Sequence, residues 1–303
     1  MPDTNTANHP SFGEPSIRQT VEPSWLRALD RLAAQLELAS RSAGNPRAPM
    51  SQVLHYFLVP LFLLGSAQCV RAQDFVDLPR DLEVALALSA LPEALQDDAS
   101  IYVRDSERGY VVHRDGTNGW MTFVARTSVR FYAADWEYNY PTDMLIPQAH
   151  TDLGLQNHVQ PYFYIERLRI AGTPAAEAKR LLRERFSDGT YTAPERGGLS
   201  YMLAPMHRAY MAPAQSGEIM TVSFPHHMPY APHVSPTEFG AMDPYGRSGV
   251  LDHGGTDAGP HGYFYLLIQP DQVAEIQVKY TDLLDRLCDQ HAGWCLPEGS
   301  GDE

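Results

Sequence analysis

Positive charge is what this chain has least of. Two of its 303 residues are lysine, Lys179 and Lys279, and with the arginines they make 23 basic side chains against 37 acidic ones, a formal net charge of −14. Nucleic acid is bound by clustered Lys and Arg that displace counterions from phosphates, so this composition argues against a nucleic-acid partner. The same deficit argues against docking on an anionic membrane surface. Beyond residue 72 there are 17 basic and 32 acidic side chains, so the imbalance belongs to the body of the protein, where it favours solubility. Cysteine is scarce as well, at three residues, and the spacing of Cys288 and Cys295 is not that of a zinc knuckle. No apolar run reaches the roughly 20 residues of a comfortable membrane span. Also missing are a glycine-rich phosphate loop and a His-Glu-x-x-His pair. Around Ser200 the chain begins like a nucleophile elbow, but Met202 stands where the sharp turn uses glycine. Ser248 in the stretch 245–249 has the wrong spacing for the same motif. Serine-hydrolase chemistry therefore has no motif behind it.

What is present is an ordinary globular composition, 44% hydrophobic and 20% charged, ample for a core. The apolar run at 53–67 is short for a span but suits a signal-peptide core, and Val70, Arg71 and Ala72 supply a small-residue cleavage pattern. The chain thus reads as an N-terminal arm over 1–49, a signal peptide over 50–72 and a single domain over 73–303. The arm carries one amphipathic helix over 24–38. An arm ahead of a signal is unusual, and Met50 as the true start removes the difficulty. The expected location is outside the cytoplasm, periplasmic or secreted, with membrane contact only through the export segment. An uncleaved membrane anchor is the principal alternative, and a core helix of a cytosolic protein is the other. Removal of the signal takes Cys69 away and leaves Cys288 and Cys295, an even pair that reads as a disulfide in an exported chain.

The periodicity predicts a helix over 78–94, a second over 173–186 begun by Thr173 and Pro174, and a third over 271–288. Three β-rich runs at 101–104, 110–114 and 120–126, separated by glycine-containing turns, predict a three-stranded antiparallel meander. Strands are also expected at 199–203 and 263–268, the second of them buried and central. The aromatic stretch 131–140 reads as rings capping the sheet. The fold class is α+β, a single domain with an antiparallel or mixed sheet, flanking helices and a long loop rich in Pro, Gly and His.

That loop, 204–262, holds 8 Pro, 8 Gly and 6 of the 12 His. Prolines at 225, 229, 232 and 236 bias it away from helix and from a central strand, leaving an extended, semi-rigid segment. Clustered imidazole and carboxylate are the usual donors to zinc, iron or copper, and added methionine leans towards copper. His226, His227, His233, His253 and His261 are the candidate metal ligands, and Tyr201, His207 and Tyr230 the candidate ligand-binding residues. His227, His233 and His261 are the expected centre of the site. The same imidazoles also suit acid–base work near neutral pH. Two function classes follow. One is an exported protein whose His-rich loop binds a transition metal or a small molecule, with or without catalysis. The other is a non-catalytic extracytoplasmic interaction domain that uses its aromatic and proline-rich surface. The export reading predicts a mature chain that begins at Gln73. N-terminal sequencing that found an intact Met1 or Met50 on cytosolic protein would overturn it.

Overall fold

A backbone crossing at Gly116 sets the order of the strands. The computed structural model describes residues 75–128, 140–210, 219–234, 250–252 and 262–297, all within one folded unit spanning 70–303. The arm and the export segment lie outside the described residues, as does 131–139 of the aromatic stretch. Strands β1 (Ser100–Asp105) and β2 (Gly109–Arg114) form a hairpin. The Asp105 carboxylate accepts from the amides of Glu107 and Arg108 at 3.0 Å each, and Gly109 takes φ 79°, where a side chain would be strained. β2 ends opposite Ile101, at the start of β1. The next five residues do not turn back as a hairpin. They pass over the residues ahead of β1, and β3 (Trp120–Ala125) lies on the other side of β1 and parallel to it. The Thr117 amide donates to the Asp98 carbonyl at 2.7 Å, and the Gly116 amide donates to Ser100 Oγ at 2.9 Å. The expected antiparallel meander is therefore corrected. Its second turn has hairpin chemistry but is spent on a crossing, which places β1 inside the sheet.

From β3 the sheet continues through β4 (Ile146–Thr151) and β5 (Leu199–Met202). A short hairpin, β6 (His207–Tyr210) and β7 (Ile219–Val222), forms a second sheet, joined by an antiparallel bridge from Arg208 to Leu145 just ahead of β4. The main sheet then adds β8 (His226–Pro229), β9 (Val250–Asp252) and β10 (Phe264–Leu267). Its order is β2-β1-β3-β4-β5-β8-β10-β9, antiparallel except for the β1–β3 pair. This mixed sheet with flanking helices is the α+β class expected.

Two expectations for the His-rich region are corrected. The region 204–262 contains strands, and β8 is an interior strand between β5 and β10, although prolines bracket it. The Tyr230 amide donates to the Gly198 carbonyl on the β5 side at 3.0 Å. By alternation the missing amide of Pro229 faces β10, where pairing lapses before it resumes at the Tyr230–Tyr263 bridge. A strand this short loses only one bond to its proline. β10 is interior too, but it is not buried along its length, and Leu266 is 37% exposed.

Helices cover both faces of the β1–β4 half. Helix α1 (Arg80–Ser89) is followed by the single turn α2 (Glu93–Gln96). Leu82 and Leu86, one turn apart on α1, pack on Ile101, Val103 and Val124. Each fully buried leucine there contributes roughly 2 kcal/mol relative to exposure. On the opposite face, helix α3 (Gln160–Ile170) sets Phe163 against Tyr102 and Phe123. Neither α3 nor β4 was expected from periodicity. Helix α4 (Ala175–Ser187) is built from strong helix formers, and Arg180 pairs with Glu177 and Glu184 on its exposed face. The C-terminal helix is broken at Tyr280 into α5 (Pro270–Lys279) and α6 (Thr281–Gln290), a correction to the single helix expected. α6 buries Leu283 and Leu287 against α1, whereas α5 buries no residue.

Cys288 and Cys295 are paired, their Cα atoms 4.4 Å apart. A loop this short contributes about 2 kcal/mol through lost unfolded-state entropy. The bridge closes the turn that presents Trp294, fully buried, whose Nε1 donates to the Asp143 carbonyl at 2.7 Å. Arg208 Nε in turn donates to the Asp143 carboxylate at 2.6 Å, so the β6–β7 hairpin and the C-terminal turn are fixed to one residue.

A Cβ at position 116 would lie 2.2 Å from Ser100 N and 2.3 Å from Ala99 C, both main-chain atoms that cannot step aside. Gly119, at φ 77°, meets nothing within 4 Å. Gly116→Ala is thus expected to cost about 3 kcal/mol or more, and Gly119→Ala only about 1 kcal/mol. Urea unfolding of the two variants checks this, and equal small losses would contradict the crossing.

Candidate functional site

One face of the sheet turns polar towards its centre. Strand alternation puts Gln148 and His150 of β4, Ser200 of β5, and His226, Met228 and then Tyr230 of the β8 segment on the same side, opposite to Ala149, Tyr201 and His227. His150 is fully buried at the middle of a relay. Its Nε2 lies 2.9 Å from Gln148 Oε1, which can only accept, so that nitrogen carries the proton. The Tyr230 hydroxyl, 2.9 Å from Nδ1, therefore donates to His150. Gly154 makes room for this contact, since a Cβ there would stand 2.2 Å from the Tyr230 oxygen.

Over this pair comes His158. It is carried by a π-helical turn, Leu155–Val159, that runs directly into α3. Such turns insert one residue into a helix and re-aim its neighbours. The His158 ring stacks on Tyr230 at 4.6 Å and on His150 at 5.6 Å, with Tyr263 at its edge, 5.5 Å away. Its Nε2 is buried without a hydrogen-bond partner. Asn157, the preceding residue on the turn, is 3% exposed and leaves both amide atoms unpartnered. Ser200, fully buried, sits next to the Tyr230 hydroxyl without a well-formed hydrogen bond. A buried polar atom left unpaired costs about 1–3 kcal/mol.

Burial sets the ionisation of these groups. It pushes His158 down to about 3 and His150 well below the usual histidine range, with the neighbouring His158 adding to the effect on His150. It raises the Tyr230 phenol, with Ser200 opposing. The cluster is neutral at physiological pH and offers hydrogen bonds rather than charge.

The structure places the expected site residues in several different surroundings. Tyr230 is in the cluster just described. His226, further along the same face, lies 5.8 Å from His207 and 4.4 Å from Tyr265, ring to ring. His207 is pushed down to about 4 by burial, against the pull of the Pro147 carbonyl. Tyr201 and His227 are on the opposite face, their rings 5.3 Å apart, with Trp120 beside Tyr201. His233 is exposed, at φ 60°. His253 and His261 lie outside the described residues. Adjacent strand positions point to opposite faces, so His226 and His227 do not share a centre. Among the described residues no three His, Cys, Asp or Glu are arranged to hold a metal ion. Both nitrogens of His150 are already engaged, and His158 alone does not make a donor set.

His150, His158 and Asn157 went unnoticed in the sequence because they fall outside the proline-rich stretch. The available signal was Gln148 and His150, two polar residues at alternate positions of an otherwise apolar run.

Folded-state values below the ordinary histidine range mean that the unfolded chain binds protons more readily between those values and about pH 6.5. Stability is therefore complete above about 6.5 and falls as the pH drops through 6.5 towards 4 for His207 and 3 for His158. Melting temperatures measured from pH 8 to pH 4 should fall over the acid half only, and more gently in His158→Phe. A flat profile would show that these rings are solvated. The chain matches no protein-family model, no curated protein and no solved structure, so its site is read from its own residues.

Proposed function

We propose that the protein is an exported small-molecule-binding protein whose ligand is held by His158, Asn157 and Ser200 against the Tyr230–His150 pair. The observation that carries this reading is the pair of buried, unpartnered polar atoms His158 Nε2 and Ser200 Oγ beside the Gln148–His150–Tyr230 hydrogen bonds. A ligand that supplies the missing hydrogen bonds recovers the cost of leaving them unmade. No acidic or basic side chain belongs to the named set, and both histidines are held neutral by burial. The ligand class that suits it is small and uncharged, with both donor and acceptor groups. The stacked rings of Tyr230 and His158, with Tyr263 edge-on to His158, add an apolar wall, the usual complement to a few fixed polar contacts. Export rests on the apolar run at 53–67 and accords with the Cys288–Cys295 pair.

Native mass spectrometry of mature protein, purified without denaturation and paired with metal analysis, tests this reading. One small neutral molecule per chain is expected, lost in His158→Ala with the melting temperature nearly unchanged once the ligand is stripped from both. A bound zinc, copper or iron that disappears in His227→Ala or His261→Ala would instead support a metal centre on the His-rich loop. Neither species bound, together with a purely destabilising His158→Ala, would overturn the binding function.

A further inference from the structure

Further along the polar face, two more imidazoles meet away from the neutral cluster. His226 is buried, and its Nδ1 lies 2.6 Å from the Phe224 carbonyl. A carbonyl can only accept, so Nδ1 carries the proton and Nε2 the lone pair. His207 is also buried, and neither of its nitrogens completes a hydrogen bond, although the Pro147 carbonyl attracts a proton on one of them. Metal-binding histidines are held in this way, steered by a main-chain carbonyl on one nitrogen and presenting the other. The two ring centroids stand 5.8 Å apart. With metal–nitrogen bonds of about 2 Å, two imidazoles on one ion have centroids roughly 5–6 Å apart, and a tetrahedral angle gives about 5 Å. The observed spacing is at the wide end, which suits an ion of two or three ligands.

A third donor follows from the strand register. Met202 pairs with His226 across β5 and β8, so their side chains leave one face with Cβ atoms about 4.5–5.5 Å apart. Tyr201 pairs with Ala149, and Arg208 bridges to Leu145, so Met202 and His207 stand at the junction where the chain passes from one stretch of β4 to the next. Met202 is buried as well. Among the described residues no third His, Cys, Asp or Glu joins them, and the donor set carries no charge. A buried ion without an opposing charge is far less costly when singly charged, since solvation energy rises with the square of the charge. Thioether and imidazole together select copper(I). Tyr265 and Phe224, both half-buried, lie 4.4 and 4.8 Å from the His226 ring, so the imidazole sits directly beneath side chains that reach the surface.

We propose that His207, His226 and Met202 form a binding site for one soft monovalent metal ion, copper(I). His226 binds through Nε2, Met202 through Sδ and His207 through the nitrogen turned from Pro147. The ion keeps its charge and its oxidation state, and no covalent bond of the chain is broken. His227 has no part in the site, because the adjacent strand position points to the opposite face. The neutral cluster uses none of these three side chains, so the two sites stand or fall separately.

Anaerobic titration of the full chain with copper(I), in competition with the chromophoric chelator bicinchoninate, tests the proposal. Wild type should take up one ion per chain. His207→Ala and His226→Ala should each weaken uptake by at least about 100-fold, because even the loss of an outer hydrogen-bond partner costs about 10–100-fold in metal affinity. Met202→Leu conserves the packed volume and should fold like wild type while binding roughly tenfold more weakly or worse. His227→Ala should bind like wild type. A loss in His227→Ala equal to that in His226→Ala would overturn the site, and so would unchanged uptake in all the variants, the mark of a surface ion. No uptake by wild type would overturn it too, while leaving the small-molecule reading untouched. Should the alanine variants fold poorly, X-ray absorption of copper-loaded wild type decides: one sulfur with two imidazole nitrogens is expected, and a shell without sulfur is a refutation.

Discussion

The strand order depends on one main-chain contact, the passage of Gly116 over the residues that lead into β1. Because the loop has no side chain at that point, the chain crosses the end of β1 within five residues instead of folding back beside β2. β1 thereby becomes an interior strand with a neighbour on each side. β3 runs parallel to it, and every later strand of this sheet adds on the far side of β3. Interior placement gives β1 two faces to bury, so Ile101 and Val103 meet α1 while Tyr102 meets α3. The polar face that carries His150 and Tyr230 lies two to four strands further on, and its position follows from that first step.

A second constraint is electrostatic. Glu83 and Glu166 are both nearly inaccessible, and each is answered by an arginine: Arg80 for Glu83 and Arg104 for Glu166. The Glu83 carboxylate also accepts from the Arg104 amide at 2.6 Å, so one residue of β1 is held from α1 through its main chain and from α3 through its side chain. Burial raises the Glu83 carboxyl, and these donors pull it back. Breaking either pair leaves an uncompensated charge in the interior, which is far costlier than the pair is stabilising. The network is therefore a device for fixing where two helices sit on one strand.

What could be read from the sequence was what is local. α1 and α4 carry their periodicity and helix formers in one stretch. The β1–β2 hairpin has its glycine at the turn, and the two cysteines pair across a short loop. The crossing was not legible, since Asp115-Gly116 and Asn118-Gly119 have the composition of a hairpin turn and only the non-local partner of β3 tells the two uses apart. β8 was hidden by its prolines, whose penalty is small when a strand is four residues long and one missing amide faces a gap in pairing. Of the site, Tyr230 was found through the density of aromatic and imidazole groups around it. His150 and His158 sit singly in unremarked segments and meet only because β4 and the π turn converge, which no spacing encodes.

The π turn bears on how such a site can change over time. A wide turn is a helix that has taken in one residue without passing the disturbance on, since α3 resumes its ordinary hydrogen bonding at Gln160. The rotation of Asn157 and His158 about the axis is thereby uncoupled from the face that Phe163 and Ile165 must keep buried. Drift in the polar end need not be matched by drift in the packed end. The side chains at that end can be exchanged while the sheet and helix continue to recognise one another.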